Sequence, residues 1–199
     1  MTRANISDPQ LPTREHIKQT FLSLYKQKPL HRIFVSDLVN ACSISRGTFY
    51  FHFENIEQVY HECEQDLIHS MEDGLDKVVL CTVGGSRNDM TKFIETYTRH
   101  LSRYPEHLDL YHCLLEGSER ASFRALWIGS VRRHFEQTLP FSRTGSSSQK
   151  EHLLEFYSGG TVTMLSSWVL SDCAAPAEEI AMISAQVLFQ GTFLTHASD

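Results

Sequence analysis

The sequence predicts an all-α protein, and three observations carry that prediction. Apolar residues recur three and four apart over long stretches, the spacing that places them on one face of a helix. No stretch alternates apolar and polar residues between hairpin turns, as a half-buried sheet requires. The breaks between the periodic stretches are proline, glycine and Ser/Asn residues of the kind that end and start helices.

Taken in order, the first stripe is Ile17, Phe21, Leu24 and Tyr25, followed by Pro29. Val35, Leu38, Val39 and Cys42 make a shorter stripe, and Ile56, Val59, Tyr60, Cys63 and Leu67 a third. Ser36 is placed to cap the second stripe and Ser45 the segment that opens at Arg46. Asn55 with Gln58 three residues on resembles a capping box for a helix from Ile56 to about Leu80. Further breaks fall at Val83-Gly84-Gly85-Ser86, Tyr104-Pro105-Glu106, Gly117-Ser118 and Leu139-Pro140, with a loop from Ser142 to Ser148. Between them helices are expected at about 89–103, 106–116, 119–139, 149–173 and 177–196, the last opening after Ala175-Pro176.

The 199 residues are 41% hydrophobic and 21% charged, enough to bury a core in one or two domains. No apolar run approaches the roughly 20 residues that span a bilayer. Met1 to Pro12 lacks the apolar centre of a signal peptide, so a cytoplasmic protein without a membrane partner is expected. The cysteines, Cys42, Cys63, Cys81, Cys113 and Cys173, are odd in number, widely spaced and form no CxxC, so structural thiols are expected. Among eleven histidines the closest pairings with cysteine are His61 with Cys63 and His112 with Cys113. Such neighbours point to different sides of a helix, and no metal is expected. No GxSxG, P-loop or dinucleotide-binding glycine pattern occurs, so neither an enzyme nor a cofactor is expected.

The net charge of -6 is unevenly spread. Residues 1–60 hold seven Lys/Arg (Arg3, Arg14, Lys18, Lys26, Lys28, Arg32, Arg46) against five Asp/Glu, a balance of +2, which leaves -8 for the rest. A mildly basic head on an acidic body suits a protein that meets phosphate with one end.

The informative stretch runs from Val35 to Tyr60: a short helix, a tight turn near Cys42-Ser43-Ile44, and a second short helix from Ser45. This is a helix-turn-helix, which lays its second helix in the major groove of DNA. Arg46 can donate two hydrogen bonds to guanine O6 and N7. Gly47 permits close approach, and Thr48 offers a hydroxyl to phosphate and a methyl to thymine. Tyr50 and His52 can donate to phosphate, and free amides at the helix N-terminus suit an anion. Phe49 and Phe53, four apart, anchor the helix in a small core. Ser36 serves either as an N-cap or as a contact.

The run Ser45-Arg46-Gly47-Thr48-Phe49-Tyr50-Phe51-His52-Phe53, followed by Asn55-Ile56-Glu57, resembles the TetR family of regulators. The likeness covers about residues 14–67. Tyr157 to Trp168 with Gly159 and Gly160, then Pro176-Ala177-Glu178-Glu179, resembles the last two helices of the family's regulatory domains. The resemblance implies a nine-helix homodimer: a three-helix DNA-binding domain at 1–57, and an effector-binding and dimerisation bundle at 58–199. It implies DNA contacts at Ser36, Ser45, Arg46, Gly47, Thr48, Tyr50 and His52. Two departures stand out. Cys42-Ser43 replaces the usual Ala-Gly of the turn, and Ile56 stands where many members carry a phosphate-binding lysine.

Residues 89–139 are rich in aromatics, which form either bundle core or the wall of an apolar effector cavity. The candidates for a wall are Phe93, Tyr97, His100, Phe123, Trp127 and Tyr157. Small residues in the final two helices permit close approach, either within a subunit or across a dimer seam at Gly159, Gly160, Thr163, Ser184 and Leu188. The function expected is a repressor released from a palindromic double-stranded DNA operator by an unknown small-molecule effector. The alternative is a factor of the same family that is constitutive or controlled by a protein partner.

Overall fold

The structure is a computed structural model that describes residues 13–73, Leu75, Val78, 87–138 and 147–190. Among these residues the regular structure is helical throughout, with no strand. The helices are α1 (Thr13–Tyr25), α2 (Val35–Cys42), α3 (Arg46–His52), α4 (Ile56–Glu72), α5 (Arg87–Leu101), α6 (Leu108–Glu116), α7 (Arg120–Thr138), α8 (Ser147–Leu170) and α9 (Ala177–Gln190). The expected breaks at Val83 to Ser86 and Leu139-Pro140, the start of the Ser142 loop, Cys81, Arg3 and the end of the last helix lie outside the described residues.

Helices α1 to α3 form a head around Ile17, Phe21, Leu38, Phe49 and Phe53, all essentially inaccessible. Side-chain caps set its boundaries. Ser45 accepts the Thr48 N–H at 3.0 Å and opens α3, while Asn55 accepts the Gln58 N–H at 2.8 Å and opens α4. The reciprocal bond of that box goes one residue further back, from the Glu54 N–H to Gln58 Oε1 at 2.6 Å. At α2 the expectation is corrected. Phe34 occupies the N-cap position, Ser36 sits inside the first turn, and Asp37 holds the helix start by accepting the Phe34 N–H at 2.9 Å. Hydrogen bonds from Lys28 and from the Phe34 amide hold the Asp37 carboxyl below its ordinary range.

The turn between α2 and α3 places Ser43 at φ 56°, a left-handed conformation that glycine adopts with less strain. Ile56 is buried in the first turn of α4, so that position carries core packing and no cation. Helix α4 ends at Glu72 and not near Leu80, because Asp73 leaves helical geometry at ψ 115°.

In the body, α7 packs on α6 and α8, α6 on α8, and α5 on α9. Trp127 and Tyr111 are fully buried at the centre, with Tyr104 stacked on Tyr111 at 5.3 Å between centroids. Cys42, Cys63 and Cys113 are buried free thiols, and burial raises each above its ordinary pKa. Among the described residues no helix is long and apolar enough to cross a membrane.

Candidate functional site

Helix α3 turns Phe49 inward, Phe53 follows inward at its C-cap, and Tyr50 and Phe51 between them face outward. Arg46, Gly47 and Tyr50 are exposed, with Tyr50 57% and Phe51 84% accessible. Thr48 and His52 are half-buried at the edges. Ser45 and Thr48 also share a hydroxyl–hydroxyl hydrogen bond of 2.8 Å, so both are engaged in the cap before any DNA arrives. A Cβ added at Gly47 would meet only Ser45 Oγ, at an ordinary 3.6 Å. Nothing inside the protomer therefore requires glycine there.

Charge in the head is distributed differently from what the sequence count suggests. Arg14 pairs with Glu62, lies over the Phe53 ring with its guanidinium carbon 4.3 Å from the centroid, and donates to the His52 carbonyl. Lys18 is buried among Glu15, Glu62 and Asp66. Lys26 pairs with Asp109 at 3.3 Å and Lys28 with Asp37 at 2.5 Å. Four of the six described basic residues thus hold the head together or onto the body. Arg32 and Arg46 are exposed and have no ion pair among the described residues. Sequence reasoning passed over Arg32 and Phe51. For Phe51 the signal was present: two positions from both Phe49 and Phe53 on a helix, it must face away from them.

The body holds a cavity of about 240 Å³ lined by α4, α5, α7, α8 and α9 together with Leu75, Val78 and Tyr104. Phe93, Tyr97, Trp127 and Tyr157 stand in its wall, together with Ser130, Val131, His134 and Phe135 of α7. Phe123 and His100 are buried but outside it, one helical turn from Trp127 and Tyr97 respectively. Phe123 packs against Trp127 at 5.9 Å and His100 stacks on Tyr97 at 6.0 Å. Burial is the main cause that lowers the His100 pKa to about 4, aided by the Arg103 charge, so the imidazole is neutral at pH 7.

Of the small residues expected at a seam, Ser184 and Leu188 are buried and line the cavity. Thr163 and Gly160 are exposed, and Gly159 is half-buried. The apolar residues left outside on these helices are Phe156 and Leu170 of α8 and Met182, Ile183 and Val187 of α9. A Cβ at Gly159 or Gly160 would meet nothing within 4 Å. Phe156, Gly160 and Val187 also edge the cavity, which therefore opens toward this face.

Head and body meet at a tight joint. Tyr25 accepts the Glu119 N–H at 3.0 Å, Ser118 Oγ accepts the Leu30 N–H at 3.3 Å, and the Tyr60 hydroxyl donates to the Glu119 carbonyl at 3.3 Å. Gly117 lies so close to the Tyr25 ring that an added Cβ would sit 2.6 Å from Cζ. The same helix that opens at this joint, α7, carries the cavity wall farther along, over a length of about 28 Å.

A short helix pair with a bare, exposed second helix, joined to a helical body that holds a cavity, defines a DNA-reading regulator. Residues 22–63 match the bacterial regulatory proteins of the tetR family, and residues 88–190 match a transcriptional regulator C-terminal region. The chain belongs to the TetR family and is a DNA-binding transcriptional regulator. Solved structures share the fold at low identity. The fatty acid degradation regulator FadR from Bacillus halodurans is 14% identical with a TM-score of 0.59, over 92% of this chain and 97% of that one. The TetR family regulator PfmR from Thermus thermophilus is 18% identical with a TM-score of 0.52, over 89% and 98%. A dihydroxyacetone kinase operon activator, DhaS, is 15% identical with a TM-score of 0.53, over 89% and 94%.

Proposed function

We propose that the chain is a homodimeric, cytoplasmic repressor that leaves a palindromic operator when a small apolar effector fills the body cavity, and that it is not an enzyme. Residues 1–57 read DNA and residues 58–199 bind effector and partner subunit. Arg46 supplies the base contact, with Gly47 giving clearance, Ser36, Tyr50 and His52 available to the backbone, and the capping pair Ser45 and Thr48 keeping one hydroxyl hydrogen between them for a phosphate. The observation that carries this reading is Gly47 beside Arg46 on an exposed helix: among the described residues no internal contact accounts for either.

The outward faces of α8 and α9 supply the dimer seam. Gly159 and Gly160 have no neighbour within the protomer that demands their smallness, and an approaching helix accounts for it. A two-fold axis then sets two copies of α3 about 34–36 Å apart, one turn of DNA. Effector binding favours a conformer with another spacing. Helices α4 and α7 both reach from the cavity wall to the head and carry the change.

The test is selection of bound duplexes from a random pool, with Arg46→Ala as control. An inverted repeat enriched by the native chain and lost in the control supports the reading. An enriched repeat whose binding no cavity ligand alters removes the effector and leaves a constitutive or partner-controlled factor.

A further inference from the structure

We propose that Phe51 and Gly47 form a seat for the C5-methyl group of thymine, so that this chain reads a thymine at one fixed position of each operator half-site by apolar contact; this rests on α3 lying in the major groove. Gly47 and Phe51 each lie two positions from the buried Phe49, in opposite directions along α3. That sets each of them about 160° round the helix from it, on the face farthest from the core. They are four apart, and so neighbours one turn from each other on that face. Tyr50, by contrast, leans on Phe49 with ring centroids 5.4 Å apart. Phe51 is 84% accessible, and the ring that meets it is that of its neighbour His52, edge-on at 5.1 Å.

The space over Gly47 is open. Among the described residues only Ser45 Oγ comes within 4 Å of the point where a Cβ on Gly47 would stand, so the Phe51 ring is clear of it. The bare backbone is then a floor and the ring a wall. A single exposed phenylalanine is ordinary on a protein surface and by itself asks for no partner. Here the helix that carries it decides what it meets. A phenyl ring has no hydrogen to donate to a phosphate and no lone pair to accept from a base amine. In the major groove the base-pair edges present hydrogen-bond donors and acceptors, and the apolar group among them is the thymine methyl. Contact removes that methyl and the face of the ring from water together, which is the favourable term. Arg46, the neighbour of Gly47, supplies the charged contact of the same helix, so charge and apolar shape are read side by side.

The test uses the full chain and the operator obtained by selection from a random duplex pool. Each thymine is exchanged in turn, in both half-sites, for deoxyuridine, which pairs identically and lacks only the methyl. Fluorescence anisotropy is expected to show one symmetry-related pair of thymines where the exchange weakens the native chain about fourfold per half-site, or about fifteenfold in all. Phe51→Ala is expected to bind the thymine and deoxyuridine duplexes equally at that pair, and Phe51→Leu to keep part of the difference. A thermal melt of each variant checks that the head is folded. If no exchange has a cost that depends on Phe51, the seat is overturned, while the reading by Arg46 stands so long as Arg46→Ala still abolishes enrichment. A loss in Phe51→Ala that is equal on operator and on random duplex assigns the ring to the sugar-phosphate backbone and overturns the seat as well. A pool that yields no repeat removes the groove reading and the seat together.

Discussion

The head and the body keep their candidate functional residues in opposite places. In the head they are outside: Arg46, Tyr50 and Phe51 project from a helix seven residues long, and the side chains that specify it, Phe49 and Phe53, are out of sight. In the body the aromatic side chains are nearly all inside, and the feature of interest is the volume they leave unfilled. A protruding site is built from residue identity and a short local spacing. A cavity is built from the mutual placement of five helices, so no local spacing encodes it. The joint at Gly117 and Tyr25 links the two regimes.

Four perturbations probe this contrast, in order of expected size. Trp127→Ala removes the largest fully buried side chain of the body and should cost about 3–5 kcal/mol in denaturant unfolding. Because α7 also seats the head, DNA binding should be lost at the same denaturant concentration. A head that still binds DNA after the body has melted would break the coupling.

Acid should act on the body through His100. Its pKa is about 4 in the folded chain, against about 6.5 when unfolded, and Nδ1 has no hydrogen-bond partner among the described residues. Stability is therefore intact above pH 6.5 and falls as pH drops from about 6.5 to about 4, by up to roughly 3 kcal/mol. His100→Gln should flatten that slope in melts taken across the window. An unchanged slope would assign the acid sensitivity to other groups.

Gly117→Ala drives a methyl group into a Tyr25 ring already packed between Phe21 and Tyr60, with centroids at 5.7 and 5.5 Å. We expect a loss of about 1–3 kcal/mol and a change in DNA affinity, although position 117 lies far from α3. Differential scanning calorimetry with operator titration would show both. Unaltered DNA binding in a destabilised variant would reduce the joint to a packing contact.

The smallest effect sharpens the contrast most. Gly47→Ala should stabilise the head by about 0.5–1 kcal/mol, since alanine is the better helix former and nothing obstructs its methyl. The same change should weaken operator binding in fluorescence anisotropy. A stabilised variant with full DNA affinity would remove the reason offered for this glycine.

The sequence made the head more legible than the body, for reasons visible at particular residues. Ser45 and Asn55 cap as expected because a cap requires only the residue and the amide three positions on. Ser36 does not, because Asp37 competes for the same helix start and, backed by Lys28, takes it. Helical periodicity identifies Phe93, Tyr97, Phe123 and Trp127 as inward-facing, and all four are buried. It does not say which of them meet a void: Trp127 does and Phe123, one turn earlier, does not. Likewise Ser184 and Leu188 read as small or apolar seam residues, while their side of α9 faces the cavity. The head's +2 balance also conceals that Arg14, Lys18, Lys26 and Lys28 are committed to internal pairs, something only the fold reveals.

The double duty of α7 bears on how this protein can be re-tooled as a sensor. Changing Trp127, Ser130 or His134 to admit a different molecule alters the rod that Glu119, bonded to Tyr25 and Tyr60, leads into. Such changes edit the output together with the input. Phe93 and Tyr97 line the same cavity from α5, a helix that packs on α9 and has no part in the joint or the proposed seam. Substitutions there are the ones to randomise first, since they reshape what enters while leaving the seat of the reading head untouched.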